Sequence, residues 1–348
     1  MTLPNILLTG ASGYLGGTLL DHLATTNLPP HGKIYALVRN VKQAEAVKKY
    51  SAEPLLFDPY DKAAVEKHIF SGQISIVFWL IDALGSTAQP YFIEALSKLK
   101  QQIGHPVHFL HTSGAKIFSS LAGAVTDQPL LDNDPNLYDV QKNQRAPHDL
   151  LQQAVETNNQ VIELSEAKGV RSYIFVPCIV YGKGEGFGNV ISIQTVAIVK
   201  AALAAKRVHS VDTDHPTWPV SHIQDTAMLY AAILRNILAE EYPDYGKKGY
   251  YLASSGSVAW DDLYDAMAKA LAKRGVIEDS GVTLADDASL AAMARGLKCP
   301  QPLVQVQLGG KCTFTAKHGE SLGWKSQYPA EHILEAADAE VELILKNL

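Results

Sequence analysis

LLTGASGYLGGTLL, residues 7–20, is the most informative segment of the sequence. Its apolar start predicts a β-strand and its end predicts a helix, so Gly10, Gly13 and Gly16 lie at a strand–turn–helix junction. The first glycine permits a tight turn, the second lets a pyrophosphate approach the backbone, and the third lets the helix pack closely on the strand. The free amides of the helix N-terminus would bind the phosphates. The segment therefore predicts a dinucleotide-binding turn.

Three further residues of this turn belong to the same predicted site. Ser12, Tyr14 and Leu15 stand at the end of the turn and at the start of the predicted helix. The first backbone N–H groups of a helix have no partner inside the helix and can bind phosphate. We therefore include these residues, with the three glycines, among the predicted cofactor-binding residues.

Arg39, at the end of the second predicted strand, indicates which nucleotide binds. An acidic residue at that position would bind the ribose 2′-hydroxyl, whereas a guanidinium suits a 2′-phosphate. The segment ALVRN places Arg39 there, with Lys42 nearby. The sequence therefore favours NADP(H) over NAD(H). Asp58, which closes PLLFD, would either face the adenine or cap a loop.

Six apolar, strand-like runs alternate with helical stretches in the first half of the chain. Strands rich in Val, Ile and Leu that alternate with helices are typical of a parallel sheet covered on both faces. We therefore predict an α/β fold with a doubly wound parallel sheet of the Rossmann type and a smaller C-terminal α/β substrate lobe. The predicted strands are 5–10, 33–39, 53–58, 74–81, 107–113 and 171–182.

The pattern changes at a Gly-rich loop, GKGEGFGN, residues 182–189. The dinucleotide-binding domain is accordingly predicted at 1–182, with a return segment of one strand and one helix at about 217–238. The substrate-binding lobe is predicted at 183–216 and 239–348.

Composition and charge argue against several classes of protein. The 348 residues carry a net charge of −6 without a long Lys/Arg run, so the electrostatic footprint of a nucleic-acid-binding protein is missing. No apolar run reaches the roughly 18 residues that a membrane span needs, and the N-terminus lacks the pattern of a signal peptide. Three widely spaced cysteines indicate neither a disulfide framework nor a zinc site, and we predict no metal. We expect a cytoplasmic protein, for which a homodimer is one option.

A second informative segment, NLYDVQKNQRAPHD (136–149), contains Tyr138 and Lys142. On a helix, residues four apart lie on one face and one turn apart. An ammonium group beside a phenol lowers the phenol pKa and makes it a usable acid near neutral pH. The spacing therefore makes Tyr138 and Lys142 a candidate catalytic pair.

The glycine spacing of the first turn, with Arg39, Asp58, HTSGAK (111–116) and VPCIVYG (176–182), resembles the extended and atypical short-chain dehydrogenase/reductases. That superfamily includes nucleotide-sugar epimerases and dehydratases, carbonyl reductases, and NmrA-like proteins without turnover. The resemblance covers roughly residues 4–240. The whole chain also looks like a fungal subgroup of NAD-dependent epimerase/dehydratase-like oxidoreductases.

This resemblance implies a role for each residue of the predicted site. In the superfamily a Tyr exchanges the proton, and a Lys four residues later binds the nicotinamide ribose and lowers the Tyr pKa. A Ser or Thr after the fifth strand helps to hold the substrate carbonyl. On this sequence the Tyr and the Lys correspond to Tyr138 and Lys142, and Ser113, or Thr112 beside it, would supply the hydroxyl. The further cofactor contacts implied at the strand ends are Leu80, Ile81, Thr112, Pro177, Ile179 and Val180.

Two features depart from the superfamily pattern. The usual hydroxyl position after the fifth strand falls on Gly114. Pro147 interrupts the helix that Tyr138 should begin. An alternative register therefore stays open, in which the helix beside the cofactor is 148–169 and His148 donates the proton.

Five other side chains stand at or near the ends of predicted strands. Trp79 and Asp82 follow from the fourth strand, and Lys116 and Phe118 follow the fifth. Each of these four is a candidate wall of the pocket, although Trp79 is equally suited to the core. Cys178, in the sixth strand, is interpreted as a small buried side chain and not as a reactive thiol.

These patterns together predict an NADPH-dependent oxidoreductase that transfers hydride between nicotinamide and a small or medium carbonyl or alcohol substrate. Two alternatives stay open. One is an epimerase or dehydratase that retains its cofactor, and the other is a non-catalytic NADP(H)-binding sensor. Gly114 and the alternative register around His148 motivate the sensor.

Overall fold

Strands and helices alternate through much of the chain in the computed structural model, which describes residues 3–241 and 243–348. The strands are β1 (Asn5–Leu8), β2 (Ile34–Leu37), β3 (Glu53–Leu55), β4 (Ile74–Trp79), β5 (His108–Thr112), β6 (Leu130–Leu131), β7 (Arg171–Pro177), β8 (Ile179–Tyr181), β9 (His209–Ser210), β10 (Thr217–His222), β11 (Tyr250–Ala253), β12 (Gly256–Ala259), β13 (Thr283–Leu284) and β14 (Phe314–Thr315). The α-helices are α1 (Tyr14–Thr25), α2 (Val41–Val47), α3 (Lys62–Ser71), α4 (Gln89–Ile103), α5 (Leu137–Asn143), α6 (Asp149–Lys168), α7 (Gln194–Ala205), α8 (Ile223–Leu238), α9 (Trp260–Lys273), α10 (Asp287–Leu297), α11 (Leu303–Leu308), α12 (His318–Ser321), α13 (His332–Glu335) and α14 (Ala337–Asn347).

Seven parallel strands form the central sheet, in the order β11–β7–β5–β4–β1–β2–β3. Every residue of β2 and β4 is buried, as expected for strands covered on both faces. The chain proceeds in opposite directions from β1, towards β3 on one side and towards β7 and β11 on the other. In such a sheet, ligands bind outside the carboxyl ends of the strands where the order reverses. The predicted doubly wound Rossmann sheet is confirmed.

The helices that pack on the two faces of the sheet separate its core into two clusters. Helices α1 and α8 contact each other on one face, and α3, α4 and α6 form a continuous layer on the other. Leu8 and Tyr230 belong to the cluster under α1 and α8, whereas Leu7 and Phe92 belong to the other. Alternate residues of each strand thus enter opposite layers, as a pleated strand requires. Within the described ranges, every helix is too short or too polar to cross a membrane.

A smaller α/β lobe lies beyond β7. Strand β8 leaves the main sheet and pairs with β10, which pairs with β12 on its other side, in a sheet of three strands. The predicted strand 171–182 is therefore two strands in different sheets, with Cys178 between them. Helices α7, α9, α10 and α14 pack together beside the small sheet.

Two parts of the predicted division of the chain differ from the structure. In the return segment 217–238, α8 packs against α1, but β10 belongs to the small sheet. In the segment 239–348, which was assigned to the substrate lobe, β11 pairs with β7 as the seventh strand of the main sheet. Both differences concern which strands pair over long range. Local hydrophobic patterns do not specify pairing partners, because any buried strand can complete either sheet.

Candidate functional site

The turn between β1 and α1 has the geometry that its glycines predict. Gly10 has φ of +66°, and a Cβ atom there would lie 2.8 Å from the carbonyl oxygen of Leu80. A Cβ atom on Gly16 would overlap with the Gly10 carbonyl, whereas the Gly13 amide donates to that carbonyl at 2.8 Å. Helix α1 begins at Tyr14, and no side chain caps its first amides. These amides are therefore available to a phosphate, and we call residues 10–16 the phosphate turn.

The Gly-rich loop 182–189 packs directly on this turn. The Asn189 amide donates to the Ser12 carbonyl at 3.0 Å, and the Tyr14 hydroxyl donates to the Gly182 carbonyl at 2.6 Å. A Cβ atom on Gly186 would collide with the backbone of Gly17 in α1, and one on Gly188 would collide with the Ser12 carbonyl of the turn. The loop therefore encloses one side of the N-terminus of α1.

The C-terminal helix α14 holds the same loop through Glu340. Its carboxylate accepts a hydrogen bond from the Gly182 amide at 2.9 Å and another from the Thr195 hydroxyl at 2.8 Å. Glu340 is 4% exposed, and burial raises its pKa, while these two donors act in the opposite direction. A buried carboxyl at the end of the chain thus stabilises a loop beside the phosphate turn.

Four residues predicted to bind the cofactor lie beyond the carboxyl ends of β2, β3 and β4. Arg39 is exposed, and its guanidinium has no partner within the described part of the chain. Asp58 accepts a hydrogen bond from the Tyr60 amide at 2.9 Å and so caps a turn. Leu80 lies against Gly10, and Ile81 is 41% exposed. Arg39 is therefore free to bind an anionic group at this edge.

A cavity of about 150 Å³ opens beside the phosphate turn, at the carboxyl ends of β5 and β7. It contains five of the residues predicted for the site, namely Tyr14, Leu15, Ser113, Pro177 and Val180. The other residues that line it are Gly114, Ala115, Lys116, Cys178, Ser192, Ile193, Gln194 and Trp218. Most of these side chains are apolar or small. Because Tyr14 and Leu15 also begin α1, the cavity is continuous with the phosphate turn.

Ser113 presents a free hydroxyl to this cavity. Its backbone amide donates to the Phe175 carbonyl at 2.8 Å, but its side-chain oxygen has no hydrogen-bond partner among the residues described. A Cβ atom on Gly114 would meet only open space. The Thr112 hydroxyl lies 2.7 Å from the hydroxyl of Tyr230 of α8 and is not part of the cavity. Ser113 is therefore the hydroxyl that can bind a substrate oxygen here.

Lys116 is the one charged residue among those that line the cavity. Its Nζ lies 4.0 Å from the centre of the Trp218 ring and 5.8 Å from that of Trp260, and it donates to the Gly309 carbonyl at 3.2 Å. Burial lowers the pKa of Lys116 to about 7. The cavity therefore contains a group that gains and loses a proton near neutral pH.

Tyr138 and Lys142 share one face of α5, as their spacing predicts, and both bind Glu163 of α6. The Tyr138 hydroxyl donates to the Glu163 carboxylate at 2.5 Å, and Lys142 forms an ion pair with the same oxygen. The Lys247 ammonium lies 4.8 Å from the centre of the Tyr138 ring. Burial and the Glu163 carboxylate raise the pKa of Tyr138, which is the opposite of the expected lowering by Lys142.

These contacts place the pair away from the phosphate turn. Glu163 lies in the second half of α6, which leads to the amino end of β7, and Lys247 lies in the turn just before β11. The glycine turn and the cavity lie at the opposite, carboxyl edge of the sheet. Lys142 lines an open surface cavity of α5 and α6 that shares no residue with the cavity at Ser113. The structure thus does not bring Tyr138 and Lys142 to Ser113.

The helix of the alternative register, 148–169, is present as α6, and Pro147 lies between α5 and α6. His148 is the residue before the first turn of α6 and is partly exposed. It is not among the residues that line the cavity at Ser113. Its proposed role as proton donor has no support in these contacts.

The remaining candidates divide between core and cavity. Trp79 is fully buried and donates to the Asp82 carbonyl at 2.8 Å, and Phe118 stacks on Phe314 with 4.1 Å between ring centres. Ile179 is fully buried and does not line the cavity. Cys178 does line it, but burial raises the pKa of its thiol well above the usual value, which makes it unreactive.

In residues 3–241 and 243–348, no three His, Cys, Asp or Glu side chains are grouped so that they could hold a metal ion. The segment HPVHFLH (105–111) has histidine at every third position, but His108 and His111 point to opposite faces of β5. Burial lowers their pKa values to about 3 and about 4. Both are therefore neutral core residues.

Trp218, Ser192, Ile193 and Gln194 are residues of the cavity that the sequence did not identify. They come from β10 and from the start of α7, which follow the Gly-rich loop. No short motif marks them, because folding of the second lobe over the first brings them to the cavity.

Comparison with known proteins agrees with this architecture. The model of the NAD-dependent epimerase/dehydratase family matches residues 6–245. Curated proteins provide no matching relative. Among solved structures, UDP-glucose 4-epimerase from Thermotoga maritima, determined with UDP-glucose, has 15% identity and a TM-score of 0.63, with 99% of each chain covered.

Two other solved structures show the same similarity. UDP-glucose 4-epimerase from Thermus thermophilus, in complex with NAD, has 11% identity and a TM-score of 0.64, covering 99% of this chain and 100% of its own. Vestitone reductase from alfalfa has 14% identity and a TM-score of 0.59, covering 99% of this chain and 98% of its own. At such identities the similarity establishes the fold alone.

Proposed function

The chain belongs to the NAD-dependent epimerase/dehydratase family, and from this we propose that it is an NADP(H)-dependent oxidoreductase for a small, largely apolar carbonyl or alcohol substrate. The observation that carries the proposal is the continuity between the phosphate turn and the cavity. Tyr14 and Leu15 take part in both, and Ser113 offers a free hydroxyl in the cavity. A dinucleotide held at the turn would thus have a substrate pocket beside it.

The residues present fit a dinucleotide. The close approach of Gly10 to Gly16 leaves no room for side chains, and the uncapped amides of α1 would bind the pyrophosphate. Arg39 would bind a 2′-phosphate, which supports NADP(H) over NAD(H). The bound nicotinamide would supply or accept the hydride. Ser113 would orient the substrate oxygen, and the apolar walls would exclude water.

The lining of the cavity supports a small carbonyl compound over a nucleotide sugar. A nucleotide sugar carries a diphosphate, whose burial requires several cationic or amide donors. The cavity offers Lys116 as its one cation, and Trp218, Pro177 and Val180 form apolar walls. An aldehyde or ketone with an apolar substituent matches this surface better.

Binding and turnover of the purified protein test the proposal. We expect NADPH to bind at least tenfold more tightly than NADH, measured by nucleotide fluorescence. We also expect NADPH to be oxidised by at least one member of a panel of apolar aldehydes and ketones. Ser113→Ala should reduce kcat/KM by about tenfold, the loss of one hydrogen bond of roughly 1.5 kcal/mol, without changing NADPH affinity. Equal affinity for both nucleotides, or no turnover over the whole panel, would contradict the proposal.

A non-catalytic NADP(H) sensor is the second candidate. It is favoured by one observation: Tyr138 and Lys142 contact Glu163, and neither of them lines the cavity at Ser113. A sensor would bind NADP⁺ and NADPH with measurable affinity and would leave NADPH unconsumed with every carbonyl compound tested.

A further inference from the structure

We propose that Lys116 is the proton donor, and in the reverse direction the proton acceptor, for the oxygen of the substrate. The inference rests on the oxidoreductase function proposed above and adds a catalytic residue to it. Its basis is the placement of Lys116 in the cavity with Ser113, three residues away on the segment after β5. The Lys116 ammonium lies 4.0 Å from the centre of the Trp218 ring, and Trp218 lines the same cavity.

The surroundings of Lys116 differ from those of a structural lysine. A lysine retained for stability normally pairs with a carboxylate, because an unpaired buried ammonium destabilises the fold. Within the described ranges, no carboxylate forms an ion pair with Lys116, whose one hydrogen bond goes to Gly309. The Trp218 ring favours the charged form through its π face, whereas burial favours the neutral form.

The other titratable groups near Lys116 do not exchange protons near neutral pH, so Lys116 is the group that can do so in the cavity. Burial raises the pKa of Cys312 to about 12 and raises the pKa values of Cys178 and Tyr14 well above their usual range, so all three are neutral. Asp212 is the one facing carboxylate, and it binds the Gly310 amide at 2.8 Å and Gln305 at 2.7 Å. Burial outweighs the Asp212 charge and lowers the pKa of Lys116 to about 7.

A lysine with such a pKa suits general acid–base chemistry at neutral pH. During reduction, one N–H bond of the ammonium breaks and an O–H bond forms on the carbonyl oxygen, while the electron pair of the N–H bond stays on Nζ. The hydride that reaches the carbonyl carbon comes from the reduced nicotinamide named above, and the product is an alcohol. Lys116 is partly exposed, so the neutral amine can regain a proton from water.

Two readouts test the inference, and the first is independent of turnover. Trp218 and Trp260 lie beside the Lys116 ammonium, so loss of its charge changes their environment. We expect tryptophan fluorescence of the intact protein to titrate with a midpoint near pH 7. The transition should be missing in Lys116→Met and unchanged in Lys142→Met, which removes an exposed lysine. A wild-type protein without this transition would overturn the inference.

The second readout is reduction of the carbonyl panel. Lys116→Met should lower the single-turnover rate at least 100-fold while NADPH affinity stays within threefold. Lys116→Arg keeps a cation that cannot deprotonate and should lose a similar factor. If Lys116→Met retains wild-type rates, the inference fails while the oxidoreductase function stands. If the wild-type protein reduces nothing, the proposed function fails and the catalytic role of Lys116 fails with it.

Discussion

Two lysines of this protein, Lys116 and Lys142, lie in opposite environments. Lys142 forms an ion pair with Glu163 on an exposed surface of α5 and α6, and 48% of its side chain is exposed. Lys116 lies over Trp218 in an apolar cavity, and its one hydrogen-bond partner among the residues that the structure describes is the Gly309 carbonyl. The four-residue spacing from Tyr138 favours Lys142 as the catalytic lysine, whereas the surroundings of the two ammonium groups favour Lys116. The comparison shows that the partners of an ammonium, and not its distance along the chain from a tyrosine, determine what it can do.

The same contrast applies to the neighbours of the two lysines. Tyr138 donates to a carboxylate, which raises its pKa and holds its proton. Within residues 3–241 and 243–348, the Ser113 hydroxyl has no hydrogen-bond partner, and the neighbouring Gly114 borders open space. Tyr138, Lys142 and Glu163 bind one another, whereas Ser113 and Lys116 line a cavity that a ligand could occupy.

Removal of each lysine in turn is the most direct test of the difference between the two regions. Lys116→Met should lower carbonyl reduction at least 100-fold, because general acid catalysis typically contributes about 10²- to 10⁴-fold. Lys142→Met should change it less than twofold. Steady-state kinetics on both variants, with NADPH affinity measured in parallel, provide the check. Equal losses in the two variants would remove the distinction between the two regions.

Substitution of Arg39 tests whether the nucleotide binds at the carboxyl edge of the sheet. Arg39→Ser should weaken NADPH binding about 10- to 100-fold, since hydrogen bonds to a charged group contribute roughly 1.5–3 kcal/mol. NADH binding should stay the same, because NADH lacks the 2′-phosphate. Lys42→Ser, a nearby exposed cation, is the matched control and should have a smaller effect. If Arg39→Ser weakens NADPH and NADH binding equally, Arg39 does not bind the 2′-phosphate.

The pH dependence of turnover provides a further test of the role of Lys116. Because burial lowers the pKa of Lys116 to about 7, the protonated form that reduction requires is lost above that pH. The rate constant kcat/KM for reduction should therefore fall about tenfold per pH unit above pH 7. For alcohol oxidation, which requires the neutral amine, it should rise up to pH 7 and then level off. Profiles of Ser113→Ala should keep this midpoint, and a midpoint that stays near 7 in Lys116→Met would show that another group titrates.

Tyr138→Phe has the smallest expected effect. Loss of its hydrogen bond to Glu163 should reduce the free energy of unfolding by about 0.5–1.5 kcal/mol, with turnover unchanged. Lys142 and Tyr138 lower the pKa of Glu163 below its ordinary value of 4.5, so this stabilisation is present above pH 4.5 and is lost as pH falls through the lowered pKa. Urea unfolding of wild type and variant at pH 7 and pH 3 measures both effects. A large loss of turnover in Tyr138→Phe would show that Tyr138 takes part in catalysis.

Local sequence was sufficient wherever a single segment contains both the signal and its structural cause. The glycines of residues 10–16 are spaced for one turn, and the structure uses each of them at that turn. The alternation of apolar strands and helices likewise predicted a parallel sheet, which is confirmed. The strand β11 was misassigned, because its partner β7 is more than seventy residues away in sequence.

Short segments of the sequence were enough to predict the doubly wound sheet, the glycine turn and the position of Arg39 at the end of β2. All three follow from periodicity, glycine spacing and chain order within short segments. Tertiary structure alone decided that Tyr138 meets Glu163, that the loop 182–189 encloses the turn, and that Lys116 lies over Trp218. The protonation and availability of a side chain depend on burial and on charges brought close by folding, and the local sequence contains neither.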